Sequence, residues 1–93
     1  MKNLEFEWDP RKARANLLKH GISFEEAATV FGDPLALTIA DPDHSEREHR
    51  FVTLGETASG KIVVVIHADR SDVIRIISAR AATRREHHDY TEK

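Results

Sequence analysis

Leu4, Phe6 and Trp8 alternate with Glu5 and Glu7, the two-residue period of a short strand with one buried face. At Asp9 the period changes and a helix over residues 10–20 is predicted. Asp9 is placed to cap it, and Pro10 suits the first position because its φ is preset and its missing N–H costs nothing there. Gly21 follows the last turn. Ser23 and Glu26 stand at capping-box spacing, and Phe24, Ala27, Ala28 and Phe31 keep the i, i+3, i+4, i+7 rhythm of one buried stripe. A second helix therefore ends at Gly32, before Asp33-Pro34.

Beyond that point the pattern is extended, with strands expected at 35–40, 50–54, 61–68 and 73–78. Residues 41–43, 55–60 and 69–72 supply turn formers, and such short gaps favour antiparallel neighbours. Residues 62–66 are apolar on both pleat faces, which suits a central strand. Ser78 offers a cap for a last helix running to about Tyr90, with residues 91–93 fraying. The expected layout is β-α-α-β-β-β-β-α, an α+β domain whose antiparallel sheet carries the first two helices on one face. The other face is left partly open or capped by the last helix.

A chain of 93 residues, 40% hydrophobic and 32% charged, has the dimensions of one small domain over residues 1–93. It contains no cysteine, which removes disulfide frameworks, thiolate nucleophiles and Cys-ligated zinc, and is ordinary for a cytoplasmic protein. The apolar run at 62–66 is far short of the roughly 20 residues of a membrane span, and no signal peptide is expected.

Net charge is −2, which argues against a general nucleic-acid binder, yet the charges are segregated. Residues 9–20 hold Arg11, Lys12, Arg14 and Lys19 against Asp9, and residues 70–85 hold five arginines against Asp72. Residues 22–48 hold seven carboxylates against Arg47. If the two basic segments meet, the fold has a cationic side that the total conceals.

Three segments carry a family resemblance: W-D-P-x-K-x-x-x-N-x-x-K-H-G-I-S-F-E-E-A over residues 8–27, D-P-D-H-S-E-R-E-H-R over 41–50, and R-I-I-S-A-R-A-A-x-x-x-E-x-x-x-Y over 75–90. Together they resemble the BrnT family, ribonuclease toxins of bacterial type II toxin–antitoxin pairs related in fold to RelE-type toxins. The resemblance implies an endoribonuclease that halts translation, acting on RNA that is free or ribosome-associated. It also implies neutralisation by a small BrnA-type antitoxin, with operator DNA bound only through that partner. No cofactor, metal or membrane is implied. A non-catalytic module that binds an antitoxin-like partner or RNA is the competing reading.

Cleaving RNA without metal needs a base for the 2′-hydroxyl proton, an acid for the leaving 5′-oxygen, and cations for the phosphorane. Lys19 and His20 end the first helix, where they serve as acid and phosphate contact or merely complement the helix dipole. Arg75 is expected on the last strand, on a face that is either open to substrate or supplied with a carboxylate such as Glu48 or Glu86. Arg80 is expected to open the last helix, with Arg84, His87 and His88 along its side. Glu86 is a candidate base or the ion-pair partner of Arg75 or Arg80, and Tyr90 is as readily core as site. Glu48 and Arg50 match the family pattern and are assigned as base or orienting carboxylate and as phosphate clamp. Lys12, Arg70, Arg84 and Tyr90 complete a candidate RNA contact set. Trp8 either stacks a base or anchors the core. The six histidines include no HExxH or comparable ligand spacing, so no metal site is expected.

Overall fold

The computed structural model describes residues 4–41 and 49–92. Strand β1 (Glu5–Glu7) leads into helix α1 (Pro10–His20), and helix α2 (Phe24–Ala28) tightens into a 3₁₀ turn at Thr29–Gly32. Strands β2 (Leu37–Ala40), β3 (Arg50–Glu56), β4 (Ile62–Arg70) and β5 (Val73–Ala81) follow, and helix α3 (Arg84–Thr91) closes the chain. No helix among these residues is long and apolar enough to cross a membrane.

The caps act as the residue types predict. Asp9 accepts a hydrogen bond from the Arg11 N–H, and Gly21 takes the left-handed conformation (φ 72°) that closes α1. Ser23 accepts from the Glu26 N–H, but the reciprocal half of that box is not made. The Glu26 carboxylate instead accepts from Thr57 and Ser59 in the β3–β4 turn, with Lys61 3.9 Å away. The Ser59 and Thr57 hydroxyls and Lys61 hold its pKa below the usual carboxylate value, against a smaller effect of burial.

The five strands lie in the order β1-β5-β4-β3-β2, which makes β4 the central strand. Pairing from β2 to β5 is antiparallel, but β1 runs parallel to β5, with Glu5 beside Val73 and Glu7 beside Arg75, so the sheet is mixed rather than antiparallel. Turn lengths constrain neighbours in sequence; they say nothing about two strands at opposite ends of the chain. Ser78 does not cap a helix, and Arg80 does not open one. Strand β5 runs on to Ala81, and α3 starts at Thr83, whose side chain accepts from the Glu86 N–H while Glu86 accepts from the Thr83 N–H.

The core lies between α1, α2 and one face of the sheet. Ile22, Phe24, Ala27 and Val30 pack on Val63, Val65, Ile74, Ile76 and Ala79. Trp8 meets Phe24 edge-on at 5.9 Å, so its indole is an anchor of this core.

Because β1 pairs with only three residues of β5, the rest of that edge needs another partner. Asn16, 7% exposed on α1, supplies it. Its side-chain amide accepts from the Ala79 N–H at 3.1 Å and donates to the Ala79 carbonyl at 2.8 Å, as a neighbouring strand would. The same nitrogen lies 3.0 Å from the Ile22 carbonyl, which ties the end of α1 to the sheet.

Candidate nucleic-acid interface

Strict alternation would place Arg75 and Arg80, five residues apart, on opposite faces of β5. The structure places them on the same face. Ile66 pairs with Ser78 and His67 with Ile76, so Ile77 is an extra residue in β5. That bulge resets the alternation: Ile74, Ile76 and Ala79 all enter the core, while Arg75 sits beside Ala68 and Arg80 beside Val64. Arg50 also sits beside Ala68, and Arg70 beside Val73, so register sets Arg50, Arg70, Arg75 and Arg80 on the face turned away from α1 and α2. Between them Val52, Leu54, Ile66 and Ser78 are only half-buried, so this face remains in part accessible.

Arg80 and Arg75 each face a carboxylate. Arg80 donates to both Glu86 oxygens, at 2.7 and 2.9 Å, in the two-pronged geometry that fixes a guanidinium plane. Arg80 is the main reason the Glu86 carboxyl drops to about 2, and Glu86 in turn raises the Arg80 pKa. A carboxylate with so little basicity is a poor proton acceptor and a good orienting group. Arg75 faces Glu7 of β1 at 3.4 Å rather than Glu86, and both side chains stay substantially exposed, so this pair is weak.

The remaining candidates divide. Lys19 and His20 end α1, exposed and without a hydrogen-bond or ion-pair partner among the described residues. Lys12 is exposed on α1 and Arg84 on the first turn of α3. Tyr90 is buried, and its hydroxyl donates to Asp33 Oδ2 at 2.6 Å. The carboxylate and burial together push the phenol up to about 12. Tyr90 is therefore a packing residue in this structure rather than a surface contact for RNA. Glu48, with His44, Glu46 and Arg47, lies outside the described residues. Among the described residues no three histidine or carboxylate side chains gather as a metal site.

Sequence reasoning missed His67, which is 1% exposed between Phe31, edge-on at 4.8 Å, and Phe51, stacked at 5.8 Å. Its Nδ1 meets Asp69 at 2.7 Å, its Nε2 meets Thr53 Oγ1 at 2.7 Å, and Thr53 meets Thr38 at 2.8 Å. Burial lowers its pKa, and Asp69 opposes that shift only in part. An apolar-looking run ending in H-A-D gives no sign of this arrangement, because the ring's burial depends on Phe31 arriving from the 3₁₀ turn.

Residues 8–86 match the family described as ribonuclease toxin, BrnT, of type II toxin-antitoxin systems. The fold is similar to the crystal structure of the Brucella abortus ribonuclease toxin BrnT, with a TM-score of 0.65 and 22% identity, covering 88% of this chain and 100% of that one. No curated protein matches. With its family match extending from Trp8 in the core anchor to Glu86 in the arginine clamp, the chain belongs to the BrnT family of ribonuclease toxins of type II toxin–antitoxin systems.

Proposed function

We propose that this chain cleaves RNA without a metal, by attack of the 2′-hydroxyl on its own phosphate, across the sheet face that carries Arg50, Arg75 and Arg80. The observation that supports this reading most directly is the β5 bulge, which sets Arg75 and Arg80 on one partly open face, the face that also carries Arg50 of β3. In-line cleavage develops charge on the phosphorane oxygens, and fixed cations in a partly dry site offset that charge without reorganising. Arg80, whose guanidinium plane is fixed in direction by Glu86, is oriented for that task. Arg75 and Arg50 grip the flanking phosphates, with Lys12, Arg70 and Arg84 extending the track.

His20 and Lys19 are the candidates for proton transfer: both are exposed, but they end α1, which packs against the opposite face of the sheet, so they must reach the phosphate around the β5 edge that Asn16 ties to Ala79. Glu86 acts by positioning Arg80 rather than by taking a proton, and Glu48 keeps the family-pattern role of base or orienting carboxylate. Cutting messenger RNA in the cytoplasm, free or on the ribosome, would halt translation, as for RelE-type toxins. A BrnA-type antitoxin would neutralise the chain and bring operator DNA to the complex. Purified protein incubated with RNA in EDTA tests this: cleavage is expected to survive chelation and to fall sharply in His20→Ala and Arg80→Ala. A folded protein that binds RNA or its partner but cuts nothing would favour the non-catalytic module.

A further inference from the structure

Helix α1 breaks two rules that its own stability favours. Its first turn carries Arg11 and Lys12, where the positive end of the helix dipole favours carboxylates. No acidic residue stands anywhere in Pro10–His20, so no i, i+4 ion pair offsets Arg11, Lys12, Arg14 and Lys19. Among the described residues none of these four side chains has a partner. The second departure is apolar: Leu18 is 83% exposed, the most of any exposed large hydrophobic side chain among the described residues, and Leu17 is 48% exposed. Helical spacing aligns Arg11, Arg14, Ala15 and Leu18 in one stripe, opposite Ala13 and the buried Asn16. Departures of this kind from local consistency mark sites under functional demand.

We propose that this stripe docks an acidic, amphipathic segment of the antitoxin. The inference rests on the toxin–antitoxin reading above. Charge complementarity selects an acidic occupant for a helix with four cations and no anion. The protruding Leu18 selects a protein over RNA, because a sugar–phosphate backbone offers little apolar surface to cover an aliphatic side chain. A segment lying along the stripe ends at Leu18 and crowds the adjacent Lys19, whereas His20 lies on the opposite side of the helix, so docking screens the Lys19 flank of the RNA site.

The test measures the affinity of this chain for a BrnA-type antitoxin, by titration calorimetry at two salt concentrations, together with RNA cleavage. Leu18→Glu is expected to weaken antitoxin binding on the order of thirtyfold, the scale of an interface hot spot. It should leave RNA cleavage within about twofold of wild type and no longer suppressed by an antitoxin dose that silences wild type. Arg14→Glu is expected to weaken binding and flatten its salt dependence. Unchanged antitoxin affinity in Leu18→Glu, or lost RNA affinity with antitoxin binding intact, overturns the proposal. Failure of the wild-type chain to bind any antitoxin overturns the underlying reading as well, so the two failures are told apart by wild type against variant.

Discussion

Replacing Asn16 by Leu keeps the side chain's size and removes its amide. Three buried backbone groups then lose a partner at once: the Ala79 N–H, the Ala79 carbonyl and the Ile22 carbonyl. A buried polar group left unsatisfied costs about 1–3 kcal/mol, and partial relaxation toward water brings the sum for three to about 3–5 kcal/mol. A domain of this size holds only about 5–14 kcal/mol of stability, so the loss is a large fraction of the whole. The melting temperature should fall on the order of 15 °C or more. Urea unfolding followed by tryptophan fluorescence reads the effect, since Trp8 lies in the core beside α1, and the midpoint should drop with its slope unchanged. Asn16→Asp sharpens the test. The carboxylate still accepts from Ala79 but faces two carbonyl oxygens, so it should be at least as damaging at neutral pH and less so as acid restores a donor. A loss below about 1 kcal/mol in Asn16→Leu at constant slope would refute the claim that this amide stands in for a strand neighbour on the free edge of β5.

Two further outcomes concern other packed positions. His67 is buried with its pKa lowered, so the unfolded chain binds the proton more readily. Its stabilising contribution is therefore full above the ordinary histidine value of about 6.5 and declines as pH falls below it. Unfolding midpoints should drop from pH 7 to pH 5, and His67→Phe, which retains a ring between Phe31 and Phe51, should remove most of that slope. A Cβ at Gly55 would sit 3.0 Å from Ala36 Cβ and 3.3 Å from Val30 Cβ, so Gly55→Ala should cost about 1–3 kcal/mol in the same unfolding assay.

The helical half of the fold was legible because its punctuation is local. Asp9-Pro10 and Gly21 bound α1, and Ser23 caps α2, by hydrogen bonds within a few residues. The end of β5 was not legible, because Ser78-Ala79-Arg80-Ala81 has no strong preference and is held extended by β4 on one side and Asn16 on the other. The true cap, Thr83 with Glu86 three residues later, was present in the sequence but overshadowed by reading Ser78 as the start. The candidate site was partly legible for a related reason. Residue types pointed to Arg75, Arg80 and Glu86, and the Arg80–Glu86 pair was among the partnerships considered. Their common face depends on one extra residue at Ile77, which no periodicity announces. The parallel pairing of β1 with β5 and the burial of His67 are likewise products of distant chain segments meeting.

We propose above that arginines gathered on one sheet face drive metal-free cleavage by the 2′-hydroxyl. Analysis of the RNA ends produced in EDTA tests it most directly. The account predicts 2′,3′-cyclic phosphate and 5′-hydroxyl ends, formed about a hundredfold or more slowly by folded Arg80→Ala, the cost of removing one fixed donor to a charged transition state. Cleavage that appears only with added divalent metal, or that leaves 5′-phosphate ends, would contradict it.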